Sequence, residues 1–297
     1  MIRQFSGEET GTQGDMERLQ RRERLEHNLA DIGMTIMVLS GKGGVGKSTI
    51  AANLALGLAA NGYRVGLLDM DIHGPSIPRI LGIQGHSEGT AEGHMIMPLD
   101  YNPNLKVMSI ETMLRDRDAS LIWRGPMKIR AIKQFLADVL WGKLDYLVID
   151  SPPGTGDEPL TIAQTIEGAT ALIVTTPQEL ALADVRKAID FCHRLDMPIL
   201  GLVENFSSQI CPHCGKPIKV FGQGGGKITA KRYGLRFLGE IPWDDRLLAA
   251  EDAGLPMEAE NDEKGAMPAL HALTQQIIKD RFKSKPEWLN HRVWVGI

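Results

Sequence analysis

The sequence has little cysteine, few aromatics and no long apolar run, and each shortage closes off a class of protein. Three cysteines among 297 residues, two of them in one C-x-x-C, cannot make the paired framework of a small secreted domain. The pair suits metal or redox chemistry in a reducing cytoplasm instead. No segment reaches the roughly 20 apolar residues that cross a bilayer, and the N-terminus is polar, unlike a signal peptide. No charge dominates either: 33 Lys and Arg against 37 Asp and Glu leave a net charge of -4, without a large basic block. Neither nucleic acid nor membrane is therefore expected as a partner. What remains is ordinary globular composition, 43% hydrophobic and 24% charged, enough to bury a core.

Residues 1–34 read as a charged helical extension. The run Met16-Glu17-Arg18-Leu19-Gln20-Arg21-Arg22-Glu23-Arg24-Leu25 mixes signs at close spacing, as a solvated helix does. From Ile36 the pattern changes. Apolar runs recur at Ile36–Leu39, Val65–Leu68, Leu105–Ser109, Leu144–Ile149, Ala171–Val174, Ile199–Val203 and Phe237–Ile241. Helical patterns lie between most of them, among them Ser48–Ala60, Met127–Leu140 and Ala181–Leu195, and Ala266–Phe282 follows the last. Runs apolar on both faces, separated by helices, are what a parallel sheet covered on two sides requires. The expected fold is α/β: one doubly wound, mostly parallel sheet with helices on both faces, over residues 35–282, with a tail at 283–297. Ile83–Asn104 and Ser207–Gly226 stand out as insertions.

Gly41-Lys42-Gly43-Gly44-Val45-Gly46-Lys47-Ser48 satisfies G-x-x-x-x-G-K-[ST], with an apolar strand before it and a helix after. Gly41, Gly43, Gly44 and Gly46 let the backbone, Val45 included, turn its N–H groups around the phosphates of ATP. The helix N-terminus adds positive potential. Lys47 is expected on the β- and γ-phosphates and Ser48 on Mg²⁺, with Thr49 beside them in the nucleotide site. Domain 35–282 thus reads as a P-loop ATPase domain that carries the C-x-x-C insertion. Asp71 and Asp150 each follow an apolar run, at the carboxyl edge where doubly wound sheets bind ligands. Asp150 has the place of a Walker B carboxylate, binding Mg²⁺ through a water. In Ser151-Pro152-Pro153-Gly154-Thr155-Gly156-Asp157-Glu158, prolines stiffen the entry and glycines allow the backbone to change. That suits a switch whose Gly154 N–H senses the γ-phosphate.

The plain phosphate-loop pattern leaves the position of Lys42 free. With a lysine there, the loop resembles the deviant P-loop ATPases, SIMIBI-type NTPases that include the nitrogenase iron protein, the MinD and ParA positioning ATPases and the Mrp/ApbC iron–sulfur carriers. The resemblance implies that Lys42 reaches across a homodimer to the partner's nucleotide and stabilises the transferring phosphoryl group, as an arginine finger does. Asp71-Ile72-His73-Gly74-Pro75-Ser76 looks like the family's switch I, which implies that Asp71 orients or activates the attacking water. By the same likeness Asn205 hydrogen-bonds adenine, and Pro242 joins it in the nucleotide site.

Cys211-Pro212-His213-Cys214 admits three readings. A thioredoxin-like redox pair would begin a helix, and Gly215, Pro217 and Phe221-Gly222-Gln223-Gly224-Gly225-Gly226 oppose one. A zinc ribbon in one chain would want a second C-x-x-C, whereas Cys192 sits inside a helical pattern as a buried apolar residue. One chain therefore supplies half of a four-thiolate site. A symmetric dimer would complete it around zinc or a [4Fe–4S] cluster.

Cys211-x-x-Cys214-Gly215, Ile218-x-x-Phe221-Gly222-x-Gly224-Gly225, Phe237-Leu238-Gly239-x-Ile241-Pro242 and Asp150-Ser151-Pro152-Pro153-Gly154-Thr155-Gly156-Asp157 together resemble the Mrp/ApbC carriers. That implies a slow ATPase that bridges a labile [4Fe–4S] cluster between Cys211 and Cys214 of two subunits and passes it to apo-proteins, with zinc as the alternative occupant. Two other functions compete. One is a MinD/ParA-like spatial regulator that binds membrane or DNA, suggested by the basic stretch Lys279–Arg292 but interrupted by Pro286. The other is a nitrogenase-reductase-like electron donor. The tail Trp288–Trp294 is expected to pack on the chain's own core.

Overall fold

The computed structural model describes residues 12–72, 74–89, 95–113, 125–166, 168–211, 214, 216–222, 224–257 and 265–281. The expected packing of Trp288–Trp294 lies outside the described residues. The first half of the chain forms α1 (Thr12–Ala30), β1 (Ile32–Ser40), α2 (Lys47–Ala60), β2 (Val65–Asp69), α3 (Ile77–Ile80), β3 (Leu99–Asn102) and β4 (Leu105–Ser109). Next come α4 (Gly125–Asp138), β5 (Leu144–Asp150), α5 (Asp157–Thr165), β6 (Thr170–Thr175) and α6 (Glu179–Arg194). The rest comprises β7 (Ile199–Ile210), β8 (Pro217–Ile218), α7 (Gly225–Arg232), β9 (Phe237–Trp243), α8 (Asp245–Asp252) and α9 (Ala266–Arg281).

The strands form one sheet in the order β3-β4-β2-β5-β1-β6-β7-β8, and β9 also pairs with β7. Pairing is parallel throughout except where β3 meets β4 and β8 meets β7. β1 shows why the apolar runs are continuous. Ile36 and Val38 enter the core layer under α2 and α9, while Met37 and Leu39 enter the layer under α4 and α6. Successive side chains of a strand face opposite ways, so a sheet covered on both faces needs both sets apolar.

All seven apolar runs are strands, as expected, and the doubly wound fold follows from them. Two features differ. α1 is not solvated all round: Asn28 is buried and donates to the carbonyls of Ala137 (2.7 Å) and Val139 (3.1 Å), and Arg24 pairs with Asp138 at 3.0 Å. Leu25 and Leu29 pack on the core layer under α4. β1 also starts at Ile32, within the stretch read as an extension, and pairs there with Leu144. Only the later part of β1 is fully buried, so its first turn of chain carries no continuous apolar signal.

The order of the strands places their carboxyl ends together. Asp69 stands opposite Asp150 on one side and Ser109 on the other, and Val38 stands opposite Asp150.

Candidate nucleotide site and cysteine hairpin

Between β1 and α2 the backbone turns through left-handed φ at Gly44 (+76°) and Gly46 (+78°), a conformation that favours glycine. Gly46 precedes α2, and no side chain caps the helix, so its first N–H groups face a ligand site. A Cβ at Gly41 would lie 2.3 Å from the Asp184 backbone, and one at Gly46 would lie 2.1 Å from Asn205 Nδ2. The loop is therefore pressed between α6 and β7 with no room for side chains at these positions. Such a cradle of backbone donors fits a nucleotide's phosphates.

Lys47 and Asp150 are both buried and paired Nζ to Oδ1. Ser48 Oγ donates to the other oxygen of Asp150 at 2.5 Å. The groups expected on phosphate and Mg²⁺ thus converge on one carboxylate in this conformation. Asp69, beside it, accepts from the N–H groups of Asp71 (3.1 Å), Ser76 (3.0 Å) and Ile77 (3.2 Å), and from Ser109 Oγ (3.3 Å). Burial, reinforced by the Asp150 charge and opposed by Lys47, pushes Asp69 up to about 8. Asp150 is raised by burial as well, against the pull of Lys47. Carboxylates outnumber cations here, and that excess of hard oxygen donors fits Mg²⁺. The sequence singled out Asp71 and Asp150 but gave Asp69 no role; only the adjacency of β2 and β5 reveals it.

Asp71 is half-buried at the edge of this group, its Oδ1 accepting from Gly74 N–H at 3.2 Å, and its charge acts on Asp150. Gly154 has φ +85°, and its N–H donates to the Ser40 carbonyl at 2.9 Å. The donor expected for the γ-phosphate is therefore held by the end of β1, and reaching phosphate requires exchanging that bond. Lys42 Nζ donates to Gln178 Oε1, at the head of α6, at 3.4 Å.

Two residues expected at the nucleotide have protein partners in this conformation. Asn205 is buried and donates from Nδ2 to the Val45 carbonyl at 3.0 Å, so its amide holds the phosphate loop. A buried amide needs a partner, and the loop supplies one. Thr49 Oγ1 donates to Glu251 Oε2 at 2.8 Å, which ties α2 to α8, while Asn53 donates to Glu251 Oε1 at 3.0 Å. Pro242 is half-buried in β9, next to Ile241, the register partner of Asn205. Phe206 adopts φ +56° and stacks at 4.9 Å on Trp243.

β7 then continues past the sheet into a hairpin. β8 pairs with it at Gln209↔Ile218 and Ile210↔Pro217, and Cys211 N–H donates to the Lys216 carbonyl at 2.9 Å. Cys211 is partly exposed and Cys214 exposed. A strand follows them, not a helix, which removes the thioredoxin-like arrangement. Cys192 is buried, and burial pushes its thiol up to about 12, an inert core sulfur. Among the described residues no group of three or more His, Cys, Asp or Glu is placed to hold a metal. None of the described helices is long and apolar enough to cross a membrane.

A parallel sheet, a left-handed glycine loop heading a helix, and a buried Lys–Ser–Asp cluster at the strand ends define a P-loop NTPase. Residues 31–278 match the ParA model described as NUBPL iron-transfer P-loop NTPase, and the chain belongs to that family. It is 48% identical over 239 residues to the iron-sulfur cluster carrier protein of Methanocaldococcus jannaschii, covering 80% of this chain and 82% of that one. It is 42% identical over 257 residues to the cytosolic Fe-S cluster assembly factor NUBP2 of Bos taurus, covering 85% and 95%. Among solved structures, an Archaeoglobus fulgidus nucleotide-binding protein in complex with ADP aligns with a TM-score of 0.71 at 42% identity, over 81% of this chain and 94% of that one. The cell division ATPase MinD of Pyrococcus furiosus aligns at 0.60 with 23% identity, over 83% and 99%, a likeness of fold alone.

Proposed function

We propose that this chain is an ATP-hydrolysing iron–sulfur cluster carrier of the cytoplasm. Two copies hold a [4Fe–4S] cluster as cargo between Cys211 and Cys214 of each and deliver it to apo-proteins. The observation that carries this reading is the hairpin: β7 touches the phosphate loop through Asn205, and just past its end at Ile210 the chain presents two accessible cysteines. A spatial regulator needs no such pair, and the named relatives are cluster carriers and assembly factors. Two thiolates per chain fill half of a cubane's four ligand positions, so a dimer is required, and zinc competes for the same sulfurs.

In that dimer the loop Gly41–Ser48 and the start of α2 bind the phosphates of ATP. Ser48 and Asp150 hold Mg²⁺, which neutralises charge on the phosphates. Lys47 leaves Asp150 for the β- and γ-phosphates, Asp71 orients the attacking water, and Lys42 leaves Gln178 to reach the partner's nucleotide. Gly154 exchanges Ser40 for the γ-phosphate, and Asn205 and Pro242 border the adenine.

Anaerobic reconstitution tests the reading. About four iron and four sulfide per dimer are expected, because a bridging cubane uses four thiolates. Cys211→Ala and Cys214→Ala should each abolish iron binding. If both variants bind iron as the parent does, the carrier reading fails.

A further inference from the structure

The cysteine hairpin leaves the sheet at the end of β7, and the chain then returns to the same strand upstream, at Glu204. This side chain is fully buried next to Asn205. Its Oε2 accepts the N–H of Gly226 at 2.5 Å, and Gly224 N–H also donates to the carboxyl. Among the described residues Oε1 has no partner. Burial raises its pKa; the N–H groups of Gly226 and Gly224 oppose the rise, and Glu240, its register partner in β9, adds to it.

The glycines where the chain returns, Gly224 before α7 and Gly225 and Gly226 at its start, are shaped to this contact. A Cβ at Gly226 would meet Glu204 Oε2 at 2.9 Å and Leu202 Cδ2 at 3.0 Å. One at Gly225 would meet Leu182 Cδ1 at 2.4 Å and the Pro177 carbonyl at 3.0 Å. Gly224 itself takes a left-handed φ of +66°. The loop thus comes down onto two supports. One is Glu204, and the other is the turn at Pro177 and Gln178, where Gln178 holds Lys42.

A buried carboxylate with one idle oxygen is a costly way to close a loop, since burying charge is unfavourable without full pairing. Its placement explains the cost. Neighbouring strand residues face opposite ways, so Glu204 holds the first turn of α7, which follows the cysteine loop, on one face of β7 while Asn205 holds the phosphate loop on the other.

We propose that Glu204 is a positioning residue that fixes the glycine loop behind Cys214, and with it the two thiolates, relative to the phosphate loop. This rests on the reading of Cys211 and Cys214 as cluster ligands. It adds a residue of the chain's own core that sets how firmly the cluster is held.

The test compares the parent chain with Glu204→Ala and Glu204→Gln by two readouts. The first is amide hydrogen exchange over α7 and the preceding glycines in metal-free protein. Glu204→Ala should speed exchange there about ten-fold, the loss of one charge-assisted hydrogen bond, while Glu204→Gln keeps an acceptor for Gly226 and stays within about two-fold. The second is the rate at which a ferrous chelator strips the reconstituted cluster. It should rise about ten-fold in Glu204→Ala, as for other groups that orient metal ligands, with partial rescue in Glu204→Gln. ATP hydrolysis should stay within about two-fold in both, because neither variant touches the phosphate contacts.

Parent-like exchange and stripping in Glu204→Ala would overturn the proposal. So would a fall in ATP hydrolysis matching the rise in stripping, which would assign Glu204 a general role in folding. A parent chain that binds no cluster would sink the carrier reading, while hydrogen exchange would still decide whether Glu204 holds the loop.

Discussion

The two ends of β7 are built on opposite terms. Upstream, Gly201 to Asn205 are buried, and Leu202 to Glu204 are paired on both sides, with β6 and with β9. At the carboxyl ends of β5 and β2 in the same sheet the polar groups have several partners each: Asp150 accepts from Lys47 and Ser48, and Asp69 from four donors. Downstream, the strand pairs with the two residues of β8 and meets β9 again at Gln209↔Trp243, and Ile218 and Val220 are 46% and 57% exposed. One protomer therefore surrounds its phosphate loop with partners from its own core, whereas its two accessible cysteines are half of the four thiolates that the proposed cluster needs. The phosphate-loop region is preorganised, and under the proposed function the cysteine end awaits a second chain.

The largest effect should come from Lys47→Ala. Removing the phosphate lysine should lower ATP hydrolysis by about 100-fold or more, read as phosphate release. Iron per dimer after reconstitution should stay at the parent value, since the hairpin does not depend on Lys47. If iron falls as far as hydrolysis, the two ends are one site and the contrast breaks.

Next is a pair of glycine substitutions. Gly46→Ala forces a left-handed residue and places a Cβ 2.1 Å from Asn205 Nδ2. Its cost should be about 2–3 kcal/mol, backbone strain plus displacement of a buried amide. Gly224→Ala, at the other end, has the strain but nothing within 4 Å of the new Cβ. Only the strain remains, roughly 1 kcal/mol. Denaturant unfolding distinguishes the two, and equal costs would show that the hairpin loop is as tightly packed as the phosphate loop.

The buried carboxylates make a third difference, legible in pH. Asp69 has its folded pKa raised to about 8, above its unfolded value. Between those values the folded state holds a proton that the unfolded state has lost, so stability falls as pH rises through this window. Metal-free protein should gain on the order of 1 kcal/mol per unit as pH drops from 8 to 6. Asp69→Asn should flatten that slope in thermal melts. A slope unchanged by Asp69→Asn would mean that the charge excess at the strand ends is relieved some other way.

What the sequence made legible follows the same division. The glycine loop could be read because its chemistry is contiguous, and the seven strands because each is apolar on both faces. Asp69 was given no role, although three of its donors are local. The groups that set its charge, Asp150 on β5 and Lys47 on α2, are brought to it by the fold, and no local pattern announces them. Thr49 was read as a nucleotide contact from its place after Ser48; its protein partner, Glu251, comes from a helix two hundred residues later and has no local signal. β7 was expected to stop at Val203 because its continuation is polar: Glu204, Asn205 and the serines have no apolar rhythm. They are ordered by partners, the glycine loop for Glu204 and the phosphate loop for Asn205. α1 was read from its charges, while Asn28 and Leu29 on its inner face tie it to α4.

The smallest effect sharpens the comparison most directly. Ile218→Ser and Val220→Ser remove apolar groups that already face solvent, so each should change the unfolding free energy of the chain by less than about 0.5 kcal/mol. Leu202→Ala, on the buried part of β7, should cost about 2–5 kcal/mol because it opens a cavity in a filled core. The measurement is denaturant unfolding of metal-free protein at low concentration, where a second chain contributes least. Exposed side chains lose no burial when shortened, so a large cost at Ile218 or Val220 would mean that another surface already covers them. A small cost would leave the hairpin as a platform that folding of one chain does not use, consistent with cysteines that need a partner's pair to complete their ligand set.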